Sequence, residues 1–100
     1  MTAVRQIKWT KRGQNRFREQ QDYITNENCH EVALEWGRRV IDATRKLDKF
    51  PLSGRIVPEI GRHEIRELII DGHFRIIYKV RRDFCDILSI RHTAFLIKSI

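Results

Sequence analysis

One hundred residues with 20 Lys plus Arg against 13 Asp plus Glu make a single basic domain, residues 1–100, of formal charge +7, with no room for a second independent core. No stretch approaches a membrane span, and no internal repeat or low-complexity tract breaks the chain. Cys29 and Cys85 lack metal-ligand spacing, and His30, His63, His73 and His92 form no pair at helical separation, so neither a metal nor another cofactor is expected.

The basic excess is spread along the chain and not gathered in a tail, which points to a polyanion or an acidic protein segment as partner. Two lone cysteines without a secretory leader pattern read as reduced thiols in a cytoplasmic protein. Met1, Thr2 and the last few residues are expected to fray.

Val4 to Thr10, with Ile7 and Trp9 two apart, suits a short strand with one face buried. From Lys11 to about Thr25 there is no Pro, and Phe17 and Ile24 lie seven apart near Tyr23 among polar residues, which predicts a polar helix with a narrow apolar stripe. Asn28, three residues before Glu31, has the pattern of a capping box and should open a second helix. In that helix Ala33, Trp36, Val40, Ala43 and Leu47 keep a three-four spacing on one face, widened by Leu34 and Ile41. Two helices joined by a short polar link form an antiparallel hairpin that must lay its apolar face on a sheet.

Pro51, Gly54 and Pro58 make Lys49 to about His63 an irregular loop, shaped by these residues. Strands follow at about Glu64–Ile70, His73–Val80 and Phe84–Arg91, linked by Asp71-Gly72 and by Arg81-Arg82-Asp83. In the middle strand Phe74, Ile76, Tyr78 and Val80 point one way, and this apolar face should meet the helices. Trp9, Trp36, Phe74 and Tyr78 read as core filling. The predicted fold is α+β: an N-terminal strand and an antiparallel two-helix hairpin packed on a three- to four-stranded antiparallel sheet.

If Asp71-Gly72 closes a two-residue hairpin, Ile70 faces His73, Leu68 faces Arg75 and Arg66 faces Ile77. With Val80 opposite Phe84, Ser89 then faces Arg75 and Arg91 faces His73. Arg66, His73, Arg75 and Arg91 would share the helix-free face. Such a cluster calls for an anionic partner, or for salt bridges from Glu59, Glu64 or Glu67.

The segments P-L-S-G-R-I-V-P-E (51–59), I-R-E-L (65–68), F-R-I-I-Y-K-V (74–80) and I-L-S-I-R-H (87–92), after a Trp-bearing strand and a helical hairpin, resemble the RelE/ParE toxin superfamily, in particular its ParE-like branch. The resemblance runs from about Ile7 to His92. It implies the toxin of a type II toxin–antitoxin module of the plasmid-stabilisation kind, held inactive by an antitoxin whose acidic C-terminal segment wraps the helices and sheet. ParE-like members act on DNA gyrase through a binding surface, with no catalytic group. Arg55, Arg66, His73, Arg75 and Arg91 are the expected target- or antitoxin-binding residues.

The alternative is a ribosome-dependent messenger RNA endoribonuclease of the RelE or YoeB type. That chemistry needs a base for the ribose 2′-hydroxyl, a cation for the phosphorane charge and an acid for the leaving oxygen. Glu59 would be the base, Arg75 with Arg66 the clamp, and His92 the acid. RelE-like members have basic residues in the connecting loop and an aromatic hydroxyl near the C-terminus, and YoeB-like members a Tyr directly after the His. Here Thr93, Ala94 and Phe95 follow His92, and no Tyr lies beyond Tyr78. As plain structural groups, Glu59 would pair Arg55 or Arg62, and His92 would bond to backbone at a strand end. A third reading, a basic nucleic-acid-binding module, lacks a basic-plus-aromatic motif in the exposed strand positions.

Overall fold

The computed structural model describes residues 5–98, so the expected start of the first strand at Val4 and the fraying of Met1 and Thr2 lie outside the described residues. In chain order the elements are β1 (Gln6–Trp9), α1 (Lys11–Glu27), α2 (His30–Arg45) with a 3₁₀ turn (Lys46–Asp48), β2 (Arg55–Ile56), β3 (Ile65–Ile70), β4 (Phe74–Val80) and β5 (Phe84–His92). The architecture is α+β, two helices on one sheet. The sheet has five strands in the order β1-β5-β4-β3-β2. The helical hairpin carries the chain from one edge to the other, and β2 to β5 wind back until β5 meets β1. That pairing is parallel, with Gln6 opposite Phe84 and Trp9 opposite Ile87, while the remaining pairs are antiparallel. The sheet is therefore mixed, and it gains β2 from within the loop expected to be irregular.

Thr10 ends the strand and caps α1: its hydroxyl accepts from the Gly13 amide at 3.0 Å and donates to the Ile87 carbonyl at 2.9 Å. Gly13 lets the helix rest on β5, for a Cβ there would lie 2.4 Å from the Ile87 carbonyl oxygen. The capping box at Asn28 does not form. Asn28 instead closes α1, its amide donating to Ile24, and Cys29 takes the N-cap of α2 without a side-chain bond. One extra residue was needed to end the first helix before the second could begin.

The main core lies between helices and sheet. Ile24, Ala33, Trp36, Val40 and Leu47 pack on Ile76, Tyr78, Cys85, Ile87 and Ile90, with Trp9, Phe17 and Phe74 half-buried around them. Leu34 remains 42% exposed and does not join the apolar face. Phe17 links Trp9 and Trp36 through ring contacts at 5.6 and 5.4 Å. Burial raises the Cys85 thiol above its ordinary pKa. Cys29 is exposed, and both cysteines are free.

The opposite sheet face is not bare. Val57, Ile65, Ile77 and Ile97 form a second small core flanked by Ile60 and Leu88. Residues 57–60 and the C-terminal segment lie across the strands, and Ile97, in a stretch expected to fray, is 4% exposed. No helix among the described residues is long and apolar enough to cross a membrane.

Candidate functional site

The predicted Asp71-Gly72 turn forms, with both residues left-handed at φ 55° and 72°, and the His73 amide donates to the Ile70 carbonyl at 3.0 Å. His73 is nevertheless an extra residue in the ladder, because Ile70 pairs with Phe74 and Ile69 with Arg75. This single bulged residue overturns the expected register. Arg66 falls opposite Tyr78, on the helix side, and Glu67 comes opposite Ile77, on the side of Arg75. Between β4 and β5 the pairing starts with Val80 opposite Cys85 and shifts again at Leu88, leaving Arg75 opposite Arg91 and Ser89 opposite Ile77. The two shifts together keep the alternation, so Arg75 and Arg91 do share a face.

The expected four-residue basic surface therefore does not assemble. The Arg66 guanidinium turns toward the loop and donates to the carbonyls of Leu52, Gly54 and His63. Tyr78 holds the same loop from beneath, accepting from the Gly54 amide at 3.0 Å and donating to the Pro51 carbonyl at 2.8 Å, while burial raises its pKa. Gly54 fits because it has no Cβ, which would meet the Glu67 carbonyl oxygen at 2.4 Å and the Tyr78 hydroxyl at 2.6 Å. His73 and His92 stack at 6.1 Å on the helix side, in a cleft also lined by Trp36, Arg39 and Asp71.

On the other face Arg75 sits in a line of alternating charges. Its Nε donates to Glu67 at 2.7 Å, and its two terminal nitrogens each donate to one oxygen of Glu59 at 2.7 Å. Arg55, opposite Glu67 in β2, closes the line at 2.6 Å. The side chains of Arg75 and Glu67 are 6% and 0% exposed, so the network is buried at its centre and reaches solvent at Arg55, and its two cations and two anions cancel. The tail joins it, since the Ile97 amide donates to Glu59 at 3.0 Å and the Phe95 carbonyl accepts from Arg75 at 3.5 Å. Hydrogen bonds from Arg75 and then from Ile97 hold the Glu59 carboxyl at about pKa 2, against an ordinary 4.5. Glu59 in turn raises Arg75, against the effect of burial.

Glu59 and Arg75, two of the three candidate catalytic residues, thus meet as an ion pair, and Glu59 pairs neither Arg55 nor Arg62. His92, opposite Phe74, lies on the far side of the sheet from them, with its Nδ1 accepting from the Ala94 amide at 3.0 Å. Glu67, in sequence only one of three possible salt-bridge sources, sits between Arg55 and Arg75. Its signal was a lone carboxylate in the apolar run I-R-E-L-I-I, where an unpaired charge would be costly to bury. Among the described residues no group of three or more His, Cys, Asp or Glu is arranged to hold a metal ion.

No curated protein matches the sequence. A solved chain of the chromosomal ParDE toxin–antitoxin system from P. aeruginosa is similar in fold, with a TM-score of 0.76 at 18% identity, over 91% of this chain and 98% of that one. The family model described as ParE toxin of the type II toxin–antitoxin system parDE matches residues 7–96, the stretch that holds most of β1, both helices, the loop and the side chains of the ion network. The chain belongs to the ParE toxin family.

Proposed function

We propose that this ParE toxin acts by binding a protein target, DNA gyrase, and that a cognate antitoxin with an acidic C-terminal segment neutralises it in the cytoplasm. The observation that carries the binding reading is the state of Glu59. A general base works best with a pKa near the working pH, whereas this carboxylate is held at about 2 by a bidentate guanidinium. Arg75 is a poor clamp for a phosphorane while two carboxylates already neutralise it. The position of His92 across the sheet adds to the case against RNA cleavage, and a net charge of +7 suits an acidic neutralising segment. Of the expected partner-binding residues, His73 is exposed and Arg55 is exposed while paired with Glu67, whereas Arg66 and Arg75 are committed to the protein's own loop and carboxylates.

The test is a supercoiling assay with purified toxin and gyrase. Inhibition is expected, together with accumulation of cleaved DNA; intact supercoiling in cells that still die would overturn the reading. Under the endoribonuclease alternative, primer extension after induction would show cuts within codons that Glu59→Ala, Arg75→Ala and His92→Ala abolish.

A further inference from the structure

Most arginines of this protein already have a use: Arg39 binds Asp71, Arg62 binds Glu64, Arg81 binds Asp86, and Arg5 donates to the Arg81 carbonyl. Arg91 differs. It lies directly opposite Arg75, is half-buried, and has no ion-pair or hydrogen-bond partner among the described residues. Glu59 and Glu67 are taken up by Arg75 and Arg55, and Glu19, which lines an adjoining cleft with Arg91, pairs with Arg16, so no neighbouring carboxylate is bonded to Arg91. A partly desolvated guanidinium beside a second one is unfavourable without an anion.

Arg91 opens onto a cleft of about 540 Å³ whose other walls are Arg12 from the first turn of α1, Lys98 from the tail, and Ala94, Phe95 and Leu96. No acidic side chain lines it. Arg12 and Lys98 also have no ion-pair partner among the described residues. Phe95 is 60% exposed, yet its ring is held edge-on to His92, with centroids 6.2 Å apart at 77°. Three cations thus surround an exposed aromatic ring that a neighbouring side chain orients.

We propose that this cleft is a binding site for single-stranded nucleic acid, with Arg12, Arg91 and Lys98 on backbone phosphates and a base stacked on Phe95. Phosphate contacts supply the charge term, and a held aromatic face supplies the stacking term that an acidic peptide would not use. A single strand suits the site better than a duplex, because bases within a duplex already cover each other's faces. The site is independent of the gyrase reading and is measured without gyrase present.

The experiment is fluorescence anisotropy of a labelled ten-nucleotide oligo-dT with purified protein over a range of salt concentrations. With three phosphate contacts, log K should fall with log[salt] at a slope of about −2. Arg91→Gln and Phe95→Ala should each weaken binding about ten-fold, and Arg91→Gln should also flatten the slope by about 0.7. Arg82→Ala, which removes an exposed arginine at the opposite end of β5, should change affinity less than two-fold. Unchanged binding in Phe95→Ala, or equal losses in Arg82→Ala and Arg91→Gln, would reduce the effect to diffuse charge and overturn the site. So would displacement of the oligonucleotide by polyglutamate of equal charge as readily as by unlabelled oligo-dT. Far-ultraviolet circular dichroism of each variant keeps loss of fold separate from loss of binding.

Discussion

Glu59 shows how a side chain's charge can be legible in the sequence while its partner is not. Its carboxyl is held near 2 in the folded protein and returns toward 4.5 when the chain unfolds, so its contribution to stability is fully present above about pH 4.5 and is lost as the pH falls toward 2. Its side chain is 20% exposed, and at pH 7 the partly screened pair is worth about 1–2 kcal/mol. In urea unfolding, Glu59→Gln should therefore be less stable than wild type at pH 7 by about that amount, with the two converging as the pH falls to about 2. A gap that stays constant with pH would show that Glu59 acts through packing. The candidates Glu59 and Arg75 were legible because charged residues stand out in an apolar strand and a Pro-rich loop. Their pairing was not, because a loop residue's partner depends on where the loop lands.

At the scale of elements, helices and strands were readable because burial imposes periodicity, three-four in α2 and two in β4, and Ala33, Trp36, Val40, Ile76 and Tyr78 all lie where that periodicity puts them. Contacts between elements are less visible. Gly13 is an example: nothing local explains a glycine in the first turn of α1, but its Cα faces the Ile87 carbonyl of β5. Gly13→Ala should lower stability by about 1–3 kcal/mol in thermal unfolding, because the obstacle is sheet backbone and outweighs alanine's better helix propensity. At Gly37 the nearest atom is the flexible Gln21 amide, so Gly37→Ala should stay within about 1 kcal/mol of wild type. Equal losses at the two sites would contradict direct packing of α1 on the sheet. The register error belongs to this scale too, since a bulge at His73 costs one residue and moves Arg66 to the other face.

Across the whole molecule, the two faces of the sheet carry separate cores, and the smaller one is completed by Ile97 of the C-terminal segment. Ile97→Ala should destabilise the protein by about 2–3 kcal/mol, measured by urea unfolding. It should also shrink the pH-dependent gap between wild type and Glu59→Gln, because the Ile97 amide helps hold the Glu59 carboxylate. A full loss of stability with that pH dependence unchanged would separate the two roles of the tail. Composition and periodicity by themselves determined a basic α+β domain with two helices over an apolar strand face, because these follow from local spacing and burial, while the resemblance to the ParE family rested on the quoted motifs and their order. Tertiary structure alone decided that β1 joins β5 in parallel, that one bulged residue separates Arg66 from Arg75, and that Arg75 is neutralised by Glu59 and Glu67, the salt-bridge alternative to an outside anion. Those outcomes depend on long-range register and on where a loop and a tail come to rest, and sidedness that alternates at every residue reverses with a single insertion.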